Sequence, residues 1–112
     1  MPKSYFMVRA KLIDAADRPR FDHWYKTAHL PDAVAAFQAR RGWRCWSRTD
    51  PTVHFAFYEF ATAAGAEAVV GSPALQAMAA EFDRVWDDRV SRTREILELA
   101  GEVGPAPGTA GA

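Results

Sequence analysis

The sequence predicts an α+β fold, with a four-stranded antiparallel sheet and helices on one of its faces. Three observations predict it. Apolar side chains alternate with a period of two in four separate stretches. Between them run segments whose apolar residues recur at three- and four-residue spacing. Turn and cap residues stand at the junctions.

The first alternating stretch covers residues 5–12. Phe6, Val8, Ala10 and Leu12 form one face, and Tyr5, Met7, Arg9 and Lys11 the other. A polar break follows, where Asp17 can cap a helix and Pro19 suits its first turn. Phe21, Trp24, Tyr25 and Ala28 then keep helical spacing, and Leu30, Val34 and Phe37 carry the apolar face onward. Pro31 has no N–H to give, so a kink or restart is expected there. Gly42 reads as the end of the segment. A second strand spans residues 43–49, and Asp50-Pro51-Thr52 has the chemistry of a type I turn. A third strand, residues 53–61, completes a hairpin. Residues 62–70 read as a short Ala-rich helix broken by Gly71. Ser72 and Pro73 cap a longer helix with Leu75, Met78, Ala79, Phe82, Val85 and Trp86 on one stripe. From about Val90 the helical period fails, and alternation from Thr93 to Leu99 favours a fourth strand. A continuing helix over residues 91–99 is the competing reading.

The order is therefore β-α-β-β-α-β, the ferredoxin-like arrangement. Residues 1–100 form the domain. Residues 101–112, rich in Gly, Pro and Ala, are expected to be a disordered tail. In strand three Phe55 and Phe57 point to one face, while Ala56, Tyr58 and Phe60 point to the other. Both faces of the sheet are thus apolar, yet helices in this topology cover one. A homodimer formed through the sheet, closing a dimeric α/β barrel, is the simplest cover for the other.

Composition bounds the function. The chain has 112 residues, is 49% hydrophobic, and balances 14 Lys and Arg against 14 Asp and Glu. A nucleic-acid binder usually carries a basic excess, so nucleic acid is not expected as a partner. No apolar run approaches the ~20 residues that cross a bilayer, and no secretory leader is evident, so a cytoplasmic protein with no membrane partner is expected. Cys45 stands alone, which excludes an internal disulfide and a Cys-rich metal site. No Gly-rich phosphate loop occurs.

The segment from Phe21 to Pro31 is the most distinctive. At about 100° per residue, Phe21, Trp24, Tyr25 and Ala28 cluster on one side, with His29 at its edge. There His29 could serve as acid, base, hydrogen-bond partner or metal ligand. It could equally satisfy carbonyls freed around Pro31. His54 cannot be placed against it from spacing alone. Arg44, Arg48, Arg92 and Arg94 could bind a carboxylate or form ion pairs.

Phe21, Trp24, Tyr25 and His29-Leu30-Pro31 resemble the F-x-x-W-Y-x-x-x-H-x-P signature of EthD-like proteins, within the dimeric α/β barrel superfamily. Phe82 to Trp86 and Arg89 to Arg94 resemble that group's final helix and strand. Ala39-Arg40-Arg41-Gly42 stands where such proteins carry a Pro-Gly pair. The resemblance implies a ligand pocket between sheet and helices, with His29 and Tyr25 as catalytic groups and Trp24 at or near it. Trp46, Phe57, Phe82 and Trp86 are implied walls. The implied ligand is a small apolar metabolite, aromatic or cyclic. The implied chemistries are cofactor-free oxygenation, cyclisation and isomerisation, with no cofactor. Non-catalytic binding and haem binding are the alternatives.

Overall fold

The computed structural model of the chain describes residues 2–105, and its elements follow the ferredoxin-like order. They are β1 (Ser4–Leu12), a single 3-10 turn (Ala15–Asp17), α1 (Arg18–Trp24), a π turn (Tyr25–His29) and α2 (Leu30–Phe37). Then come β2 (Arg41–Trp46), β3 (Val53–Phe60), α3 (Ala63–Glu67), α4 (Pro73–Trp86), a second 3-10 turn (Asp87–Arg89) and β4 (Val90–Glu98). The sheet order is β2-β3-β1-β4, antiparallel throughout. Residues 101–105 are exposed and have no regular structure. The remainder of the expected tail lies outside the described residues. No helix among the described residues is long and apolar enough to cross a membrane.

Cross-strand partners share a face, so the register sorts the sheet into two rows. Phe6 pairs with Tyr58 and Ile96, Val8 with Ala56 and Arg94, and Ala10 with His54 and Arg92. These positions face the helices. Phe21, Tyr25, Ala33, Phe37, Phe82 and Trp86 pack onto them from the helical layer. Tyr5, Met7, Trp43, Phe55, Phe57 and Leu97 occupy the opposite row and are partly buried. Trp43 stacks on Phe57 at 5.4 Å and meets Tyr5 edge-on at 5.8 Å, while Phe55 lies 6.4 Å from Phe57.

The first helical segment ends differently from the sequence expectation. Gln38, in the left-handed region (φ 55°), closes α2 after Phe37, and the Ala39 N–H reaches back to the Val34 carbonyl. Gly42 instead lies inside β2. Its role is close approach: a Cβ there would sit 2.6 Å from Val34 Cγ2 and 3.3 Å from the Phe57 carbonyl oxygen. Glycine lets α2 settle against the β2–β3 pair. The expected break at Pro31 takes the form of the π turn just before it. The Leu30 N–H reaches the Tyr25 carbonyl five residues back, and Pro31 then falls in the first turn of α2, where its missing N–H is harmless.

The hairpin turn is as read. The Val53 N–H donates to the Asp50 carbonyl at 3.0 Å, and the Asp50 carboxylate accepts from the Thr52 N–H and hydroxyl at 3.0 and 2.7 Å. The fourth strand is also settled as a strand. Asp87, at φ 51°, ends α4, so the helix cannot continue into residues 91–99.

Gly42→Ala is expected to lower stability by about 1–3 kcal/mol, read as a lower urea midpoint. Gly42→Ala combined with Val34→Ala is expected to cost less than the two single changes added together. An alanine accepted at no cost would contradict the close packing.

Candidate functional site

The helix-facing row is broken by polar side chains at Arg44, His54, Arg92 and Arg94, and they fall into two groups. Toward the β2 end, Arg44 pairs with Asp22 at 2.9 Å and lies 3.4 Å from His54 Nε2. The Trp46 indole N–H donates to the same Asp22 oxygen at 2.7 Å. That bond, more than the Arg44 charge, holds the Asp22 carboxyl below its ordinary pKa. This end is a polar network whose donors converge on one Asp22 oxygen, with the Asp22 side chain partly open to solvent.

The other group surrounds a cavity of about 20 Å³ between the π turn, α4, β1, β3 and β4. Tyr25 and His29 come from the π turn. Tyr58 comes from β3, Leu75, Met78 and Phe82 from α4, and Arg92 and Arg94 from β4. A groove of about 320 Å³ adjoins it, sharing Phe6, Leu75 and Arg94 and extending to Gly71 and Ile96. The cavity holds about one water. A larger ligand needs the groove, or a shift of Leu75 and Met78, the latter a pliable side chain.

His29 is 7% exposed, and its Nδ1 has no hydrogen-bond partner. Its ring stacks on Trp24 at 4.5 Å and meets Tyr25 and Phe82 edge-on at 4.8 and 5.6 Å. Burial lowers its pKa to about 4; the Arg92 charge adds to this and Glu81 opposes it. The ring is therefore neutral at pH 7. It can accept a proton on one nitrogen and donate from the other. His54 flanks Tyr25 on its other side at 4.5 Å, and burial, aided by Arg44, lowers its pKa to about 3. Tyr25 is fully enclosed and pushed up to about 12, chiefly by burial, so its phenol stays protonated. Tyr58, beside it, is raised for the same reason.

The structure thus brings His29, Tyr25 and Phe82 together at the cavity. Trp24 stands behind His29 rather than at the cavity wall. Trp46 belongs to the Asp22 network, with the Arg18 guanidinium 4.2 Å from its ring centre. Trp86 is wholly buried core, its indole N–H without a partner. Phe57 lies on the opposite face of the sheet, stacked on Trp43, so it does not line this cavity. Spacing alone does not bring Tyr58, Leu75, Met78, Arg92 and Arg94 to the site. The available signal was the phase of β4 against β1, which sends residues 90, 92, 94 and 96 inward together. A haem does not fit a cavity of this size. Among the described residues no cluster of three or more His, Cys, Asp or Glu gathers to hold a metal ion.

No protein-family model matches the sequence, and no curated protein matches it. Solved structures do match. SnoaB, a cofactor-independent oxygenase from Streptomyces nogalater, is 10% identical with a TM-score of 0.61, over 94% of this chain and 99% of its own. HapK from Hahella chejuensis is 13% identical with a TM-score of 0.64, over 92% and 98%. A dimeric ferredoxin-like protein from an uncultured marine organism is 17% identical with a TM-score of 0.52, over 92% and 100%. Likeness at such identities establishes the fold.

Both buried histidines bind a proton more weakly folded than unfolded, about 4 and 3 against an ordinary 6.5. The unfolded chain therefore takes up protons first as pH falls. Their contribution is complete above about pH 6.5 and is lost on acidification toward the folded values. Urea unfolding is expected to show a loss of roughly 2–3 kcal/mol per ring by pH 4.5, at 1.36 kcal/mol per pKa unit. A flat profile from pH 7 to 4.5 would mean that the rings are hydrated.

Proposed function

We propose that the chain is a small homodimeric enzyme of the EthD-like kind, acting on an apolar aromatic or cyclic metabolite held in the groove that adjoins the cavity beside His29. One observation carries this reading. A deeply buried imidazole leaves Nδ1 unpartnered in an aromatic-lined space at a π turn. An unsatisfied buried polar atom costs about 1–3 kcal/mol, which a bound ligand would recover. Such π turns recur at functional sites.

His29 accepts a proton from an activated carbon or hydroxyl of the substrate. The Tyr25 phenol donates a hydrogen bond to the oxygen where negative charge develops. Oxygenation without a cofactor, cyclisation and isomerisation can each begin with this step. A conjugate acid near 4 makes His29 a weak base, so the substrate's own developing charge must be held against it. SnoaB, similar in fold, is a cofactor-independent oxygenase, in keeping with chemistry run by side chains. Binding without turnover is a second reading, favoured by the low basicity of the buried His29 ring.

The dimer forms through the opposite face of the sheet. Tyr5, Met7, Trp43, Phe55, Phe57 and Leu97 make it a continuous apolar surface across all four strands, and its burial gains about 25 cal/mol per Å². Arg41 and Glu59 border this patch as an ion pair at 3.4 Å. A protein similar in fold is itself dimeric.

Anthrone, a flat tricycle with an acidic CH₂, is a suitable probe with an oxygen electrode. His29→Ala is expected to cut oxygen uptake about 100-fold or more, and Tyr25→Phe about tenfold, with circular dichroism unchanged. Equal turnover in wild type and both variants would remove the assignment; anthrone bound but unconsumed would select the second reading. Separately, light scattering at micromolar concentration is expected to give twice the 12.4 kDa chain mass, and Phe57→Glu to give monomer. A wild-type monomer would refute the assembly.

A further inference from the structure

Resting on the small-molecule site above, we propose that its ligand carries a carboxylate. The anionic group sits between Arg92 and Arg94 beside His29, and a flat apolar body lies along Phe6, Leu75 and Ile96.

Val90, Arg92, Arg94 and Ile96 are the inward positions of β4, opposite Leu12, Ala10, Val8 and Phe6. Burying a guanidinium group is costly unless something offsets it, and this bears on the half-buried Arg92, whereas Arg94 is exposed to solvent at the rim. For Arg92 part of the offset is present. Its Nη2 holds Asp83 at 2.8 Å, its guanidinium lies 4.0 Å from the Phe82 ring centre, and its side chain is 16% exposed. Arg94 has no hydrogen-bond or ion-pair partner among the described side chains. It lines both the inner cavity and the groove, so it stands where the two meet. No carboxylate lines the inner cavity. Glu95 borders the groove, but its β1 partner Met7 belongs to the opposite face of the sheet.

The unpartnered Nδ1 of His29, 7% exposed, is the independent second sign. A carboxylate at the junction accepts from the planar donors of Arg94 in the paired geometry guanidinium favours. It also takes a hydrogen bond from the Nδ1–H tautomer of His29. The groove, about 320 Å³, matches the lower end of small-ligand sites, which suits a fused two-ring body. The other inward arginine, Arg44, is already occupied by Asp22.

The anion also bears on the chemistry. Arg92 helps keep His29 neutral. A carboxylate between them offsets that field and makes protonation of His29 easier, so ligand binding itself strengthens the base.

The test compares 2-naphthoate with its neutral isostere 2-naphthamide, by tryptophan fluorescence titration of the full chain at pH 7. Naphthoate is expected to bind about tenfold tighter, with a preference that weakens as salt rises. Arg94→Gln should abolish the preference and Arg94→Lys restore part of it. Arg48→Gln, an exposed change near the hairpin turn, should leave it intact. Equal binding of acid and amide, both lost in His29→Ala, would overturn the charge assignment and leave the site standing. A naphthoate preference that survives Arg94→Gln would also overturn it. Binding of neither probe would overturn both the carboxylate and the site.

Discussion

The constraint on which everything else rests is the phase of β1. It is paired on both sides, to β3 and to β4, so its alternation fixes theirs. A slip of one residue would exchange every inward side chain for an outward one. Phe6, Val8, Ala10 and Leu12 cannot leave the helical layer, since they form its floor. The same phase carries Tyr58, Ala56 and His54 inward from one neighbour, and Arg92 and Arg94 from the other. Site and core are therefore built by one register.

Within that row, burial and charge compete, and their balance differs from residue to residue. Asp22 is only partly buried and holds two donors, so hydrogen bonding outweighs desolvation and keeps it ionised. His29 and His54 are buried without an adequate counter-charge, so desolvation prevails and both rings stay neutral. Tyr25 lies between them, held protonated by the same enclosure. The result is a set of uncharged hydrogen-bonding groups deep in the layer, with cationic side chains where the cavity meets its groove.

Much of the fold was legible in the sequence because period and cap chemistry are local. Ser72-Pro73 starts α4, Asp50-Pro51-Thr52 makes the turn, and alternation marks β1 and β3. The end of the first helical segment was not legible in this way. Gln38 takes a left-handed conformation that glycine more often fills, while Gly42 answers a packing need visible only with α2 seated on the sheet. At the cavity, helical spacing put Tyr25 and His29 on one side of their helix, while Phe82 entered as a wall only through the family resemblance. Phe57 and Trp46 could not be sorted, because a strand's two faces look alike until its partners are known. Arg92 and Arg94 were candidates for a carboxylate or for ion pairs, but which face of the sheet they share emerges only from the pairing of β4 with β1.

His29 as a neutral ring sealed into the layer with one nitrogen free is the central feature of the site. Long-range proton–nitrogen correlation of the histidine side chains at pH 5.5 tests this most directly. A neutral imidazole pattern for His29, assigned by its loss in His29→Gln, is the result the structure requires. An imidazolium pattern at that pH would show a solvated ring, and the site built around it would not exist.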